Sequence, residues 1–478
     1  MQEKQRNIQI ASMLLSGVVV VIILFLFSLI SILKRNTKKE INYLAFHDQL
    51  TGSFNYTKFK REFEKKKDVF SSRYALALFD IYNFRAVNAI FGYEAGDRVL
   101  RSIYGLIKSR VTPNELYCRF AEDKFLLLLE CPERGYMLNR LETFFRIAEN
   151  TIFSSDTMDY RITCRCGLYE LKPDDEHKSF QTLSDCAFEA RENIINISHS
   201  TASFFDEKLQ QRLDRKNKIT RYMHSSLEKE EFLIYLQPKY AILDEQPILS
   251  GAEALVRWKL NGTEFIYPDS FIPAFEENGF ITQLDMYMLD HVCGLIKAWI
   301  SEGHPGIPVS VNQSRLHIYN PNYVHDIQLI VDKHGIPYNL IEFEITESAI
   351  VEDSQQVRNQ FRQLRKLGFK TSMDDFGSGL STLNMLQGSE ADIIKIDKGF
   401  FDSSLDTENG QIIVASIITM LRNLDFEIVA EGIETGEQVA FLKKCGCTYV
   451  QGYYFGKPEP YADFEHNHLY KKSVPTDA

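Results

Sequence analysis

"FKTSMDDFGSGLSTLNMLQGSEADIIKID", residues 369–397, holds two short apolar, β-rich runs, and each ends on acid: Asp374 and Asp375 close the first, Asp397 the second. The same unit recurs in both directions. From Phe232 onward the runs are "FLIYLQ" (232–237), "GAEALVRW" (251–258), "IPVSVN" (307–312), "LIEFEITE" (340–347), "FKTSMDD" (369–375), "ADIIKID" (391–397), "EIVAEGIE" (427–434) and "YVQGYYF" (449–455). Six of the eight end in a polar or acidic residue, and most are followed by a helical stretch. Eight strand-like runs with mostly helical connections predict a (β/α)8 barrel of the TIM type, an α/β fold with parallel strands. Strands buried on both faces read as near-continuous apolar runs, as these do. In such barrels the chemistry sits at the C-terminal strand ends. That reading places Glu253, Asn312, Glu344, Asp374, Asp375, Lys395, Asp397, Glu431 and Gln451 at one mouth.

Carboxylates crowded into one cleft repel each other and raise each other's pKa values. Hard divalent cations, which prefer oxygen ligands, are the natural compensation. Adjacent Asp374 and Asp375 suit a two-metal site, one carboxylate bridging and its neighbour binding the second ion.

These runs resemble the EAL-domain cyclic di-GMP phosphodiesterases over roughly residues 226–460. "GAEALVRW" contains the naming motif, and "LQPKY", "FIPAFEENGFI", "VNQS", "EITES", "MDDFGSGLST", "IKIDKGF", "AEGIET" and "QGYYFGKP" complete the series. Phe275 and Leu236 depart from the usual residues, and neither bears on metal binding. The resemblance implies hydrolysis of cyclic di-GMP to linear 5'-pGpG by a two-metal-activated water, a cyclic-guanylate-specific phosphodiesterase using two Mg2+ or Mn2+. It implies that Glu253, Asn312, Glu344 and Asp374 coordinate one ion, and that Asp374 and Asp375, with Asp397 or Glu431, hold the second. Lys395 would orient the water, Glu431 would accept its proton or brace a ligand, and Gln237, Arg257 and Gln451 would position substrate. Glu347 would brace the loop after Asp374. The family also implies a homodimer through this domain, using residues after Ser378. A non-catalytic cyclic di-GMP receptor is the alternative, but such receptors lack one or more ligands and this chain lacks none.

Residues 43–205 alternate strand-like and amphipathic segments, an α/β pattern. "HDQLTGSFNYTKF" (47–59), "FDIYNFRAVNAIFGYEAGDRVL" (79–100), "RFAEDKFLLLL" (119–129) and "DCAFEAR" (185–191) resemble the GGDEF diguanylate cyclases. The signature is broken. Ala121 and Glu122 stand where the family has two glycines, which give a turn the freedom to approach phosphates closely. Lys124 reverses an acid. Asp80 and Asp123 match metal-binding acids, and Asn88 and Asp97 match guanine contacts. The resemblance therefore implies a degenerate, cyclase-inactive GGDEF domain. Either it binds GTP as a regulatory input, or it is structural or dimerising. A bifunctional cyclase–phosphodiesterase is the reading that "AEDKF" argues against.

Residues 10–33 are apolar apart from scattered serines and Gly17, long enough to cross a bilayer of about 30 Å. Lys34, Arg35, Lys38 and Lys39 follow, and the positive-inside rule sends the rest to the cytoplasm. The expected order is a short extracytoplasmic tail (1–9), a transmembrane helix (10–33), a juxtamembrane segment (34–42), the degenerate GGDEF domain (43–205), a helical connector (206–225), the EAL domain (226–465) and a C-terminal tail (466–478). The expected location is a bacterial plasma membrane, single-pass, with both domains cytoplasmic. A net charge of −11 argues against polymeric nucleic acid as a partner. The eight cysteines form no CxxC pair, as expected for reduced, packed thiols.

Overall fold

The computed structural model describes residues 17, 25–38, 40–66, 68–70, 73–150, 152–154, 159–195, 197–304, 306–347, 354–377, 386, 389–402 and 407–470. The expected outer tail, most of the apolar run 10–33, residues 378–385 after the acidic pair and residues 471–478 lie outside the described residues. Residues 25–38 and 40–46 are helical. Among the described residues no helix is long and apolar enough to cross a membrane. The chain divides into two compact units, residues 1–212 and 213–478, and the helix Glu207–Glu228 runs through the division.

In the first unit, β1 (Tyr74–Ile81), β2 (Leu116–Ala121), β3 (Lys124–Glu130), β6 (Cys164–Glu170) and β7 (Thr201–Phe204) form one sheet in the order β2-β3-β1-β6-β7; β4 (Ile152–Ser154) and β5 (Asp159–Arg161) form a separate pair. Every residue of central β1 is buried. Its alternate side chains feed two apolar cores, Ala75, Ala77 and Phe79 on one face and Leu76 and Leu78 on the other. That is what covering a sheet with helices on both faces requires.

The second unit is a closed barrel. Its strands are β8 (Phe232–Ala241), β9 (Ile248–Leu260), β11 (Val309–Asn312), β12 (Ile341–Thr346), β13 (Lys370–Phe376), β14 (Ile393–Ile396), β15 (Glu427–Ala430) and β16 (Tyr449–Gln451). They pair in that order, β16 returns to β8, and the short β10 (Glu264–Ile266) and β17 (Glu459–Pro460) hang on β9 and β8. Every one of the eight predicted runs contributes a strand.

Two details depart from an all-parallel barrel. First, β8 runs antiparallel to both its neighbours, β9 and β16. Residues 242–247 are too few for the crossover of a dozen or more residues that a parallel pair needs, so these strands form a hairpin. Second, Glu253 does not close its strand: β9 continues to Leu260 and folds back through β10. Outside the ring, Trp258, Phe271, Phe275 and Phe280 pack as one aromatic cluster with Phe232. The unusual Phe275 is a core residue, fully buried. All eight cysteines are unpaired; Cys186 and Cys445 are half-exposed and the others buried.

Candidate active site at the barrel mouth

Lys395, on β14, is the point on which the acids converge. Its ammonium lies 2.7 Å from Glu344 Oε2, 2.7 Å from Glu431 Oε1, 3.1 Å from Asp374 Oδ1 and 3.2 Å from Glu253 Oε2. The residue is 1% exposed. Asn312 Nδ2 donates to Glu253 Oε1 at 3.0 Å. Gln451 Nε2 donates to Glu253 Oε2 at 2.7 Å and to Gln237 Oε1 at 3.0 Å, and its own Oε1 is buried without a partner. Gly452, the next residue, lies where a β-carbon would stand 2.2 Å from the Ile433 backbone, so only glycine lets Gln451 reach this position.

Asp374 and Asp375 are neighbours on β13, and an ordinary strand would point them to opposite faces. Here the β13–β14 register shifts between Met373 and Phe376, and Asp375 takes φ 60°. The break in alternation brings Asp375 within electrostatic range of Asp397, Glu253 and Glu344. The Asp375 amide donates to Asp374 Oδ1 at 3.0 Å. Glu347 Oε2 accepts the Gly377 amide at 3.2 Å, and Asp397 Oδ1 accepts the Gly399 amide at 2.8 Å. Arg257 stands apart from the acids: it lies over the Tyr235 ring at 5.5 Å and donates to the Val256 carbonyl.

A second layer, unforeseen from sequence, lies beneath. Lys239 Nζ contacts Ser310 Oγ at 2.8 Å, Glu344 Oε1 at 2.9 Å and Glu342 Oε1 at 3.2 Å. Glu342 and Glu344 are two apart on β12 and share its inward face. Because β8 runs antiparallel, Lys239 lies below Gln237, beside the lower glutamate. The legible signals were a lysine inside an apolar run and two glutamates at strand period.

Charge follows this layering. Burial opposes ionisation of Glu344, but Lys239 and Lys395 together hold its carboxyl down at about 2. Burial lifts Asp374 well above the usual carboxylate range, with Glu431, Glu344 and Glu253 adding to the rise against Lys395. Burial and Glu253 push Glu431 up to about 7 despite Lys395. Burial and Asp397 raise Asp375. Carboxylates outnumber ammonium groups here, and the donors are all oxygen. That chemistry fits hard divalent cations. Among the described residues no three acids stand around an open point that could hold a metal ion; Lys395 Nζ occupies the point on which they converge.

The first unit has a cleft of about 780 Å³ lined by Asp80, Asn88, Asp97, Asp123, Lys124, Arg165 and Arg191, among others. Its electrostatics are inverted relative to a metal site. Asp80 accepts from Arg165 Nη2 at 2.7 Å and Nε at 3.1 Å, and Arg191 Nε lies 3.2 Å away. Two guanidinium groups thus occupy the carboxylate that the sequence offered to a metal, and the residues present do not fit a divalent ion. Burial and the Asp80 charge raise Asp123. Glu122 is held at φ 45°, its carbonyl accepting from Arg119 Nε and Nη2 at 2.8 and 2.6 Å. Gly96 lets the helices Phe84–Phe91 and Tyr93–Arg110 meet: a β-carbon there would lie 2.0 Å from Asn88 Oδ1. Asp97 is 4.0 Å from Arg101. The blocking role of Arg165 was not foreseen; a lone arginine inside the apolar run "ITCRCGLY" was its trace.

Comparison with known proteins agrees with this architecture. Residues 45–194 match the family described as diguanylate cyclase, GGDEF domain. The bifunctional diguanylate cyclase/cyclic di-GMP phosphodiesterase MucR of Pseudomonas aeruginosa is 28% identical over 428 residues, 88% of this chain and 61% of the relative. The cyclic di-GMP phosphodiesterase NbdA of the same organism is 27% identical over 430 residues, 89% of this chain and 54% of the relative. The chain thus spans about half to three fifths of the length of these relatives. The S helix-GGDEF-EAL structure of Vibrio cholerae LapD shares the fold at a TM-score of 0.51, with 17% identity, over 88% of this chain and 98% of that one. Residues 219–458, half of the chain, match the family described as EAL domain, and the protein belongs to that family, with a GGDEF domain preceding the barrel.

Proposed function

We propose that this chain is a membrane-anchored phosphodiesterase that opens cyclic di-GMP to linear 5'-pGpG. The observation that carries the reading is the convergence of Glu253, Glu344, Asp374 and Glu431 on Lys395, with Asn312, Asp375 and Gln451 alongside. NbdA and MucR, matched over nearly all of this chain, are named for that activity.

Glu253, Asn312, Glu344 and Asp374 would hold one Mg2+ or Mn2+, and Asp374 and Asp375, with Asp397 or Glu431, the second. When bound, such ions place charge against the phosphoryl oxygens and make water more acidic. Lys395 adds fixed positive charge where negative charge develops, without reorganising as the reaction proceeds. Glu431, whose Oε1 lies 2.7 Å from the ammonium, receives the proton of the attacking water. Gln237 and Gln451 form an amide pair at the rim that positions the dinucleotide. Arg257 would reach a phosphate oxygen by leaving the Tyr235 ring, an exchange its planar fork suits.

The full chain in mild detergent, incubated with cyclic di-GMP and Mg2+ or Mn2+ and followed by chromatography, should yield the linear dinucleotide. Glu253→Ala or Asp374→Ala should abolish it. Tight binding with no turnover in either metal would replace the enzyme with a receptor.

The GGDEF domain makes no cyclic dinucleotide in this reading, because Asp80 is held by Arg165 and Arg191, and Glu122 and Lys124 replace the signature residues. Asn88 and Asp97 suit a guanine edge, which supports GTP as a regulatory ligand. An unchanged hydrolysis rate with GTP, and no GTP binding, would leave the domain a structural role. The apolar run 10–33 and the basic residues after it support anchoring with both domains in the cytoplasm. Exposed Ile412, Ile413 and Leu424 on and beside the helix Glu408–Asn423 support a homodimer through the barrel.

A further inference from the structure

The ammonium beneath the mouth is the least expected group in the barrel. A lysine side chain is almost never fully buried unless paired, and Lys239 is 5% exposed. It has no route to substrate, because Glu344 and Lys395 lie between it and the opening. Its three donors are all committed: to Ser310 Oγ, Glu342 Oε1 and Glu344 Oε1. The last is decisive. Glu344 has two carboxylate oxygens, and Lys239 takes the lower one at 2.9 Å while the upper one faces Lys395 at 2.7 Å. A carboxylate gripped on one oxygen from below can neither rotate nor withdraw, so the other oxygen stays aimed at the mouth. Ser310 is register-paired with Glu253 on β9, so the same ammonium ties down the strand position beside a second candidate ligand. Glu342 supplies the counter-charge that lets an ammonium remain so deep.

We propose that Lys239 is a positioning residue for the divalent-cation site: it fixes Glu344 from below, with Glu342 as its counter-charge, and so sets the affinity of the mouth for metal. This rests on the phosphodiesterase reading above. Groups that orient a metal ligand from behind typically change metal affinity 10–100-fold when removed. A residue of this kind shifts the metal concentration needed for activity more than the rate once metal saturates.

The test uses the full chain and two variants. Lys239→Met leaves Glu342 without its cation and is at risk of misfolding. Lys239→Met/Glu342→Gln removes one charge of each sign and leaves the net charge of the barrel interior unchanged. Folding is checked by circular dichroism and thermal melting. Mn2+ binding without substrate is measured from the free-ion electron paramagnetic resonance signal, and hydrolysis is followed across a Mn2+ titration. The expected result for the folded double variant is Mn2+ binding weakened about 10–100-fold, a matching rise in half-activating Mn2+, and a saturating rate within about threefold of the parent. A folded double variant that binds Mn2+ within threefold of the parent overturns the positioning role and leaves the phosphodiesterase reading intact. Loss of saturating rate with unchanged Mn2+ affinity also overturns it. A parent chain that binds no Mn2+ overturns both.

Discussion

Replacing Lys395 by methionine tests the charge logic of the mouth most directly. The change keeps an unbranched stem of four heavy atoms and removes the ammonium that touches four carboxylates at 2.7–3.2 Å. Removing one partner from a buried charge group costs about 3–5 kcal/mol, because the remaining charges are left uncompensated. At roughly 2–4 °C per kcal/mol for a domain of this size, the barrel should melt about 6–20 °C lower in EDTA. Two further consequences follow from the same contacts. The ammonium and a divalent cation compete for the same oxygens, so the variant should be stabilised more by Mn2+ than the parent is. An ion at a hundredfold its dissociation constant contributes about 2.7 kcal/mol, enough to recover much of the loss. Acid should also help. Glu431 already titrates near 7 and Asp374 well above the usual range, and without Lys395 both rise further. A carboxyl whose folded pKa exceeds its unfolded value disfavours the fold increasingly as pH climbs between the two. The deficit should therefore be larger at pH 8 than at pH 6. Hydrolysis should fall about 100–1000-fold even with saturating metal, the loss expected of one electrostatic contact to the transition state. Melting by differential scanning fluorimetry in EDTA and in Mn2+, at both pH values, reads every part of this. A variant that melts within about 2 °C of the parent in EDTA, or that gains less from Mn2+ than the parent, would refute the reasoning.

Arg165→Leu should destabilise the GGDEF domain by about 3 kcal/mol, the lower end for breaking a buried pair because Arg191 still contacts Asp80; urea unfolding reads the loss, and GTP should still yield no cyclic dinucleotide. In the native chain a disulfide-exchange reagent should modify Cys186 and Cys445 well before the other six thiols, which are buried. Burial pushes Cys186 up to about 11 and also raises Cys445, so even the accessible pair should react slowly at neutral pH.

The barrel was legible because its strands are buried on both faces, and eight apolar runs, most with polar or acidic ends, survive any local ambiguity. The direction of β8 was less visible, although the short residues 242–247 held the clue. The polar mouth was legible as a set of residue types. What linear sequence could not convey was which side of each strand a residue takes. Asp374 and Asp375 share the mouth only through a register shift and one left-handed residue, and Arg257 turns to Tyr235 instead. Lys239 and Glu342 escaped notice because the residues Lys239 joins lie 71 to 105 positions from it in the chain, on other strands. In the GGDEF domain the broken turn was plain in Ala121 and Glu122, whereas the clamp on Asp80 needed the pairing of β1 with β6.

The reversed first strand has a consequence for assembly. The hairpin β8–β9 forms from neighbours in sequence, but the seam between β8 and β16 joins positions 214 residues apart, where Gln237 meets Gln451. Contacts of such separation are the slow, entropically costly ones. The rim amides therefore exist as a pair only after the last strand has docked. A nascent or truncated barrel, however well formed its acidic half, lacks the amide pair proposed to hold the dinucleotide. In the proposed phosphodiesterase, competence would in this way be withheld until the whole chain of the domain has been made and closed.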